Sequence, residues 1–201
     1  MSDPDWELLH PVPEAWQGAV GRYAASTRRS LQFIVGDEET RAALLGAPIR
    51  PDRIAAIIRG GEVVGFLSYR MEGAGALCPQ VARYRARFGH VSGTLRWLLT
   101  QATLVRGRAE DLYIEGFAVD PAARGLGLGQ VLLGWLGQEV IRRGKAGWRT
   151  EMPADQPAAA RTYEKAGAVC LKTLDFGPAG RLIGWRRARL YRWTPGARDP
   201  I

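Results

Sequence analysis

Apolar and polar positions along the chain alternate with two different periods, and the change of period marks the elements. Residues 6–10 (WELLH) read as a short strand. Residues 13–26, opened by Pro13 and Glu14, read as a helix with Trp16, Val20 and Tyr23 at helical spacing. Residues 37–46 begin acidic and stop at Gly46, which predicts a second short helix. Two strands follow, 53–59 and 62–70, joined by Gly60-Gly61, a dipeptide suited to a tight hairpin. The stretch 75–110 starts like a loop and continues as an arginine-studded amphipathic run through Leu95, Trp97, Leu98, Leu99, Leu104 and Val105. It predicts a helical insert of one or two helices.

Beyond the insert, residues 112–119 predict a strand with mixed apolar faces, stopped by Asp120-Pro121. Residues 126–143 predict a long helix, in which Leu128, Leu132, Trp135, Leu136 and Val140 form one buried stripe. A strand at 148–152 leads to a helix at 157–166, with proline in its first turn and Gly167 at its end. Strands at 168–176 and 182–193 close the chain. This order predicts one α/β domain over residues 1–201, with a mixed central sheet of about seven strands flanked by helices.

Composition narrows the class. At 201 residues the chain can bury one sizeable core but not two comfortable ones, and 46% hydrophobic with 24% charged residues excludes wholesale disorder. The longest uncharged stretch, 125–138, is shorter than a membrane span. The first ten residues hold two aspartates and a glutamate where a signal peptide needs basic and then apolar residues, so a cytoplasmic location is expected. Cys78 and Cys170 are too few for a disulfide framework. With only His10 and His90 beside them, a zinc cluster or a histidine-dependent triad is disfavoured, and no metal is expected.

Charge adds a partner class. Lys+Arg is 28 against Asp+Glu 20, a net of +8, and all but Lys145, Lys165 and Lys172 of the cations are arginine. That balance favours anionic ligands, although a base-composition bias toward arginine would produce it as well. The best basic stripes with interleaved aromatics are Arg83, Arg85 and Arg87 with Tyr84 and Phe88, and the 186–193 stretch. The second also fits an ordinary edge strand, so a nucleic-acid partner is disfavoured.

The sharpest chemical signal runs from Val119 through Asp120, Pro121 and Arg124 to Gly125, Gly127 and Gly129: a strand, a short basic loop, then a glycine-rich turn that opens the long helix. The first N–H groups of a helix have no partner within it, and with the positive end of the helix dipole they form an anion site. Glycines let a ligand approach closely, and Arg124 adds a full charge. The spacing is GxGxG with Gln130 next, so a dinucleotide fingerprint does not complete, and no Gly-Lys-Ser/Thr follows to make a P-loop.

The pattern Val-x-Pro-x-x-Arg-Gly-x-Gly-x-Gly after a strand strongly resembles the acetyl-CoA-binding motif of the GNAT acetyltransferase superfamily. A second family motif, Asn-x-x-Ala-x-x-Leu-Tyr-x-x-x-Gly-Phe, is similar to residues 156–168, with Ala159, Tyr163 and Gly167 in register. This chain has Gln156 for the asparagine, Thr162 before the tyrosine, and Ala168 for the closing aromatic. The resemblance covers 112–176 well and 50–70 loosely.

The resemblance implies a GNAT-like fold in which the strand before the glycine loop splays from its neighbour at a bulge and pantetheine enters the gap. It implies acetyl-CoA as co-substrate, held by the backbone of Phe117, Ala118 and Val119, by Arg124, Gly125, Leu126, Gly127, Leu128 and Gly129, and by Gln156. It makes Tyr163 the candidate general acid, with a core tyrosine as the plainer reading. Glu115, alone in an apolar strand where an unpaired carboxylate is costly, is the candidate general base, directly or through water. The alternatives are a structural carboxylate paired with Arg106 or Arg108, and Glu151 as the base. Arg161 and Lys165 either reach CoA phosphates or face solvent, Arg142, Arg143 and Lys145 are structural, and Cys170 is an inert core thiol.

The expected activity is N-acetyl transfer to a primary amine by direct attack, on a small molecule or a protein amino group. An acyl-CoA-binding regulatory module without turnover is the alternative. The acceptor site is expected among the N-terminal helices, the 75–110 insert and the last strand pair, and a homodimer through that pair is left open.

Overall fold

The computed structural model describes residues 5–104, 110–177 and 186–196. The strands are β1 (Trp6–Leu9), β2 (Ile54–Arg59), β3 (Glu62–Arg70), β4 (Asp111–Val119), β5 (Gly147–Pro153), β6 (Val169–Asp175) and β7 (Arg187–Trp193). The helices are α1 (Glu14–Ser26), α2 (Gln32–Val35), α3 (Glu38–Leu45), α4 (Val81–Phe88), α5 (His90–Leu104), α6 (Leu128–Arg142) and α7 (Pro157–Lys165). The sequence pattern did not announce α2, which is a single turn. Residues 182–185 of the expected last strand lie outside the described residues.

All seven strands form one sheet in the order β1-β2-β3-β4-β5-β7-β6, antiparallel at every pairing except β4–β5. The β2–β3 hairpin turns at Gly60 and Gly61, whose φ of +57° and +79° are the left-handed pair that a two-residue turn demands. β2 is buried on both faces. Ala55 and Ile57 join a core under α6 and α7, and Ile54, Ala56 and Ile58 join a second core under α1 and α3. A strand covered on both sides reads as a continuous apolar run, as IAAII does. In α6, Leu128, Leu132, Leu136 and Val140 are buried as expected, with Trp135 half-buried beside them.

Two expectations are corrected. β7 is an inner strand, paired with both β5 and β6, and β6 is the edge of the sheet. Cys170 lies on that edge and is exposed, with Val169 and Leu171, so it is not a core thiol. The insert forms two helices, but Leu95, Leu98 and Leu99 of α5 face outward. The side buried against α4 is made of small and polar groups. Gly93 touches the Tyr84 backbone, and the Tyr84 hydroxyl donates to Thr100 Oγ1 at 3.1 Å. Arg96 anchors α5 on the Ile34 carbonyl at 2.6 Å, and the Trp97 indole anchors it on the Pro79 carbonyl at 3.0 Å. Among the described residues no helix is long and apolar enough to cross a membrane.

A Cβ on Gly93 would stand 2.4 Å from the Tyr84 carbonyl oxygen, a backbone atom that cannot swing aside. Gly93→Ala should therefore lower unfolding free energy by about 1–3 kcal/mol, the usual cost of overpacking, seen as a lower urea midpoint. An unchanged midpoint would mean that α4 and α5 separate without cost.

Candidate active site

The site starts from an irregularity in β4. Phe117 pairs with Leu67 and Gly116 with Ser68, but Ile114 pairs with Tyr69, so Glu115 is one residue too many and forms a β-bulge. The bulge inverts the alternation of faces. Leu112 and Ile114 face the α6–α7 core before it, and Phe117 and Val119 return to the same core after it. That inversion is the physical origin of the mixed apolar faces in the sequence.

On its other side β4 pairs with β5 for only three residues, Asp111 with Gly147, Leu112 with Trp148 and Tyr113 with Arg149. Beyond them the strands part, while β3 keeps hold of β4 to Val119 and β7 keeps hold of β5 to Pro153. The closed end is clamped by the buried Asp111, which accepts from Arg149 of β5 and, at 3.1 Å, from Arg192 of β7. Among the described residues the open end leaves two facing edges of backbone without a sheet partner.

A cavity of about 240 Å³ lies in this wedge, lined by Glu115, Gly116 and Phe117 of β4 and by Thr150 and Glu151 of β5. Tyr163 of α7 reaches its wall. The ring packs 5.6 Å from Phe117 and 5.9 Å from Trp148, and the hydroxyl shares a hydrogen bond with Thr150. Burial drives this phenol far above the ordinary tyrosine range, so it holds its proton at neutral pH. Gln156 also lines the cavity. It sits just before α7, and its side chain caps no N–H of that helix.

The glycine loop follows the open end of β4. Asp120 Oδ1 accepts from the Ala122 N–H at 2.8 Å and shapes the turn. Gly127, at φ +75°, is the residue from which α6 departs, and no side chain occupies its cap. Among the described residues the N–H groups of Gly125, Leu126, Gly127, Leu128 and Gly129 donate to no backbone carbonyl. Gly129 rests on Thr162 and Phe117, and Gln130 Nε2 donates to the Thr162 carbonyl at 2.8 Å, which fixes the loop against α7 and β4. Arg124 is exposed beside the loop.

Glu115 is placed in the cavity wall but is not unengaged. Its Oε1 accepts from Arg70 Nη2 at 2.5 Å, and its Oε2 accepts from the Ala76 N–H at 3.0 Å. Arg28 Nη2 lies 3.5 Å from Oε2, and the carboxylate side chain is 3% exposed. Its partners are therefore Arg70 and Arg28, while Arg106 and Arg108, expected from the sequence, lie outside the described residues. Sequence reasoning missed both observed arginines. The available signal for Arg70 was a charge at the end of the mainly apolar run Val63–Tyr69. Arg28, in the turn after α1, carries no pattern.

The remaining expectations divide. Ala118 and Val119 lie on β4 beyond the cavity, toward the loop, and do not line it. Arg161 and Lys165 are exposed on α7. Arg142 and Arg143 pair with Glu139 on their own helix. The cavity draws Arg28, Ser30 and Leu31 from the N-terminal region and Thr103 and Leu104 from the insert, but no described residue of β6 or β7. Among the described residues no three His, Cys, Asp or Glu side chains gather as a metal site.

A search of curated proteins finds no match to the sequence. Solved structures share the fold. An agmatine N-acetyltransferase mutant in its apo form superposes with a TM-score of 0.61 at 15% identity, over 95% of this chain and 100% of that one. The ribosomal-protein-S18-alanine N-acetyltransferase of Escherichia coli gives 0.55 at 16%, over 94% and 93%. The Salmonella typhimurium protein yncA, solved with its cofactor acetyl-CoA, gives 0.55 at 16%, over 98% of each chain. The family model described as acetyltransferase (GNAT) family matches residues 23–168, a span that holds the parted strands, the glycine loop and Tyr163. With most of its length matched, the chain belongs to the GNAT acetyltransferase family and is an acyltransferase.

Proposed function

We propose that the protein moves the acetyl group of acetyl-CoA to a primary amine by direct attack. The observation that carries this reading is the wedge between β4 and β5, an unpaired strand edge running from a cavity with a protonated tyrosine in its wall to a loop of free N–H groups. The edge at Phe117, Ala118 and Val119 suits an extended ligand with amide groups of its own, bound as an added strand. Pantetheine is such a chain. The N–H groups of the glycine loop, the positive end of α6 and Arg124 suit its pyrophosphate. Gln156 offers an uncapped amide at the cavity wall. Two of the structural neighbours are N-acetyltransferases by name, in line with a nitrogen acceptor.

Bound acetyl-CoA supplies an activated thioester, whose carbon–sulfur bond breaks as the carbon–nitrogen bond forms. A backbone N–H of the splayed β4 edge would stabilise the charge that develops on the carbonyl oxygen. Tyr163 would deliver its proton to the departing sulfur. Glu151, half-buried on β5, takes the proton that the amine loses, directly or through water. Glu115 is assigned a different task from the one its isolation in the sequence suggested. With both oxygens engaged, it holds Arg70 and Arg28 in the wall.

Replacing Gly127 with Asp would force a side chain into a left-handed backbone position and put a negative charge where the pyrophosphate is proposed. Calorimetry should show CoA affinity falling by about a hundredfold, close to 3 kcal/mol, and near wild-type binding by the folded variant would refute the placement. Tyr163→Phe should keep acetyl-CoA affinity and lower kcat by roughly 10²-fold. If kcat held at every pH, Tyr163 would be a core residue only. Glu115→Gln leaves Arg70 with an uncompensated buried charge, so unfolding free energy should drop by about 3–5 kcal/mol in denaturant melts. Glu151→Gln should lower kcat while keeping acetyl-CoA affinity. Full stability with lost turnover in the Glu115 variant would return the base role to Glu115.

A further inference from the structure

Among the described residues three buried carboxylates each hold two arginines, and they differ in one respect. At Asp111 the partners Arg149 and Arg192 are 15% and 28% exposed, and at Glu139 the partners Arg142 and Arg143 are 62% and 23% exposed, so water can solvate the surplus positive charge. At Glu115 both partners, Arg28 and Arg70, are only 8% exposed. Within this three-residue cluster the guanidinium charges exceed the carboxylate by one, away from solvent.

Arg28 bears that surplus. Arg70 has good partners in Glu115 at 2.5 Å and the Gly73 carbonyl. Arg28 Nε and Nη2 are buried and make no hydrogen bond among the described residues. Glu115 stands 3.5 Å away with Arg70 and the Ala76 N–H already in place on its oxygens. Nε–H and Nη2–H lie side by side along one edge of a guanidinium plane, the fork that fits both oxygens of a carboxylate. Buried donors without acceptors are costly, and a ligand that brings the acceptor removes that cost. Across the wedge, β5 contributes Glu151 to the same cavity wall. Arg28, beside the β4 bulge, and Glu151, on β5, thus line the same cavity.

We infer that the acceptor is an amino carboxylate, a small molecule with a primary amine and a carboxylate, whose carboxylate docks on Arg28. The inference rests on the acetyl-transfer reading and adds the substrate class to it. A carboxylate at Arg28 completes the guanidinium edge and cancels the surplus charge. A diamine or polyamine would instead bring a second cation against Arg28.

The test is a CoA-release assay on the full chain with acetyl-CoA and the common amino acids, each compared with its decarboxylated amine and its carboxamide, and with spermidine and putrescine included. At least one amino acid should exceed its decarboxylated and amide counterparts in kcat/KM by roughly 30-fold or more, a typical loss for an unmatched buried charge-assisted bond. Arg28→Gln should erase that preference through KM, and Arg28→Lys, which keeps the charge without the fork, should retain only part of it. Equal or better use of decarboxylated amines or polyamines by the wild type overturns the inference, and so does acetyl-CoA binding with no amino carboxylate turned over. The wild-type comparison decides even if Arg28→Gln does not fold. Acetyl-CoA titration of the same sample separates the two levels: absence of binding defeats the acetyl-transfer reading itself, whereas binding with the wrong acceptor preference defeats the amino carboxylate alone.

Discussion

The site depends on one constraint: β4 and β5 begin as paired strands and cannot remain so. Their first three residues are joined, and the buried Asp111 ties both strands to β7 at that point. The extra residue at Glu115 then bends β4, and the ring of Tyr163 packs against Phe117 on one arm and Trp148 on the other. Each arm keeps its outer neighbour, so the gap stays open without unravelling the sheet. Backbone groups left unpaired in a sheet interior need partners from elsewhere. In this fold they form the wall of a cavity.

The same constraint organises the charges. The chain is strongly basic, yet six of its arginines are spent in pairs on Asp111, Glu115 and Glu139. Each of these carboxylates offsets one of its two arginines, so the excess of positive charge persists around them. The carboxylate at the closed end of the wedge pins strands together, and the one on the bulge holds two cations beside the cavity. The third, Glu139, also accepts from the Tyr69 hydroxyl at 3.2 Å and lies 3.5 Å from His10, where burial and two nearby arginines keep the imidazole toward its neutral form. That cluster joins β1, β3 and α6 and has no part in the cavity.

The insert between β3 and β4 belongs to both the fold and the site. Its helices pack through Gly93 and the Tyr84–Thr100 hydrogen bond rather than through leucines, so Leu95, Leu98 and Leu99 of α5 stay on the outside. The C-terminal end of α5 delivers Thr103 and Leu104 to the lining of the cavity. A periodic apolar stripe does not by itself say which face is inward, because a close approach of backbones can bury the small residues instead.

By itself the sequence determined the element order apart from α2 and the number of helices in the insert, the hairpin at Gly60-Gly61, the buried stripe of α6 and the loop of Gly125, Gly127 and Gly129. Each of these is local, resting on a period, a turn preference or the unpaired N–H groups at a helix start. What only the tertiary structure decided is who meets whom across the chain. Glu115 was visible as an isolated carboxylate, but Arg70 lies 45 residues earlier and Arg28 still farther, and nothing local links them. The inner place of β7 and the exposure of Cys170 on β6 were likewise settled by strand order, since alternation along a strand is the same at an edge and beside one. Long-range pairings such as the three-residue contact of β4 with β5 leave no periodicity in either segment, and the cavity exists only because that contact ends where it does.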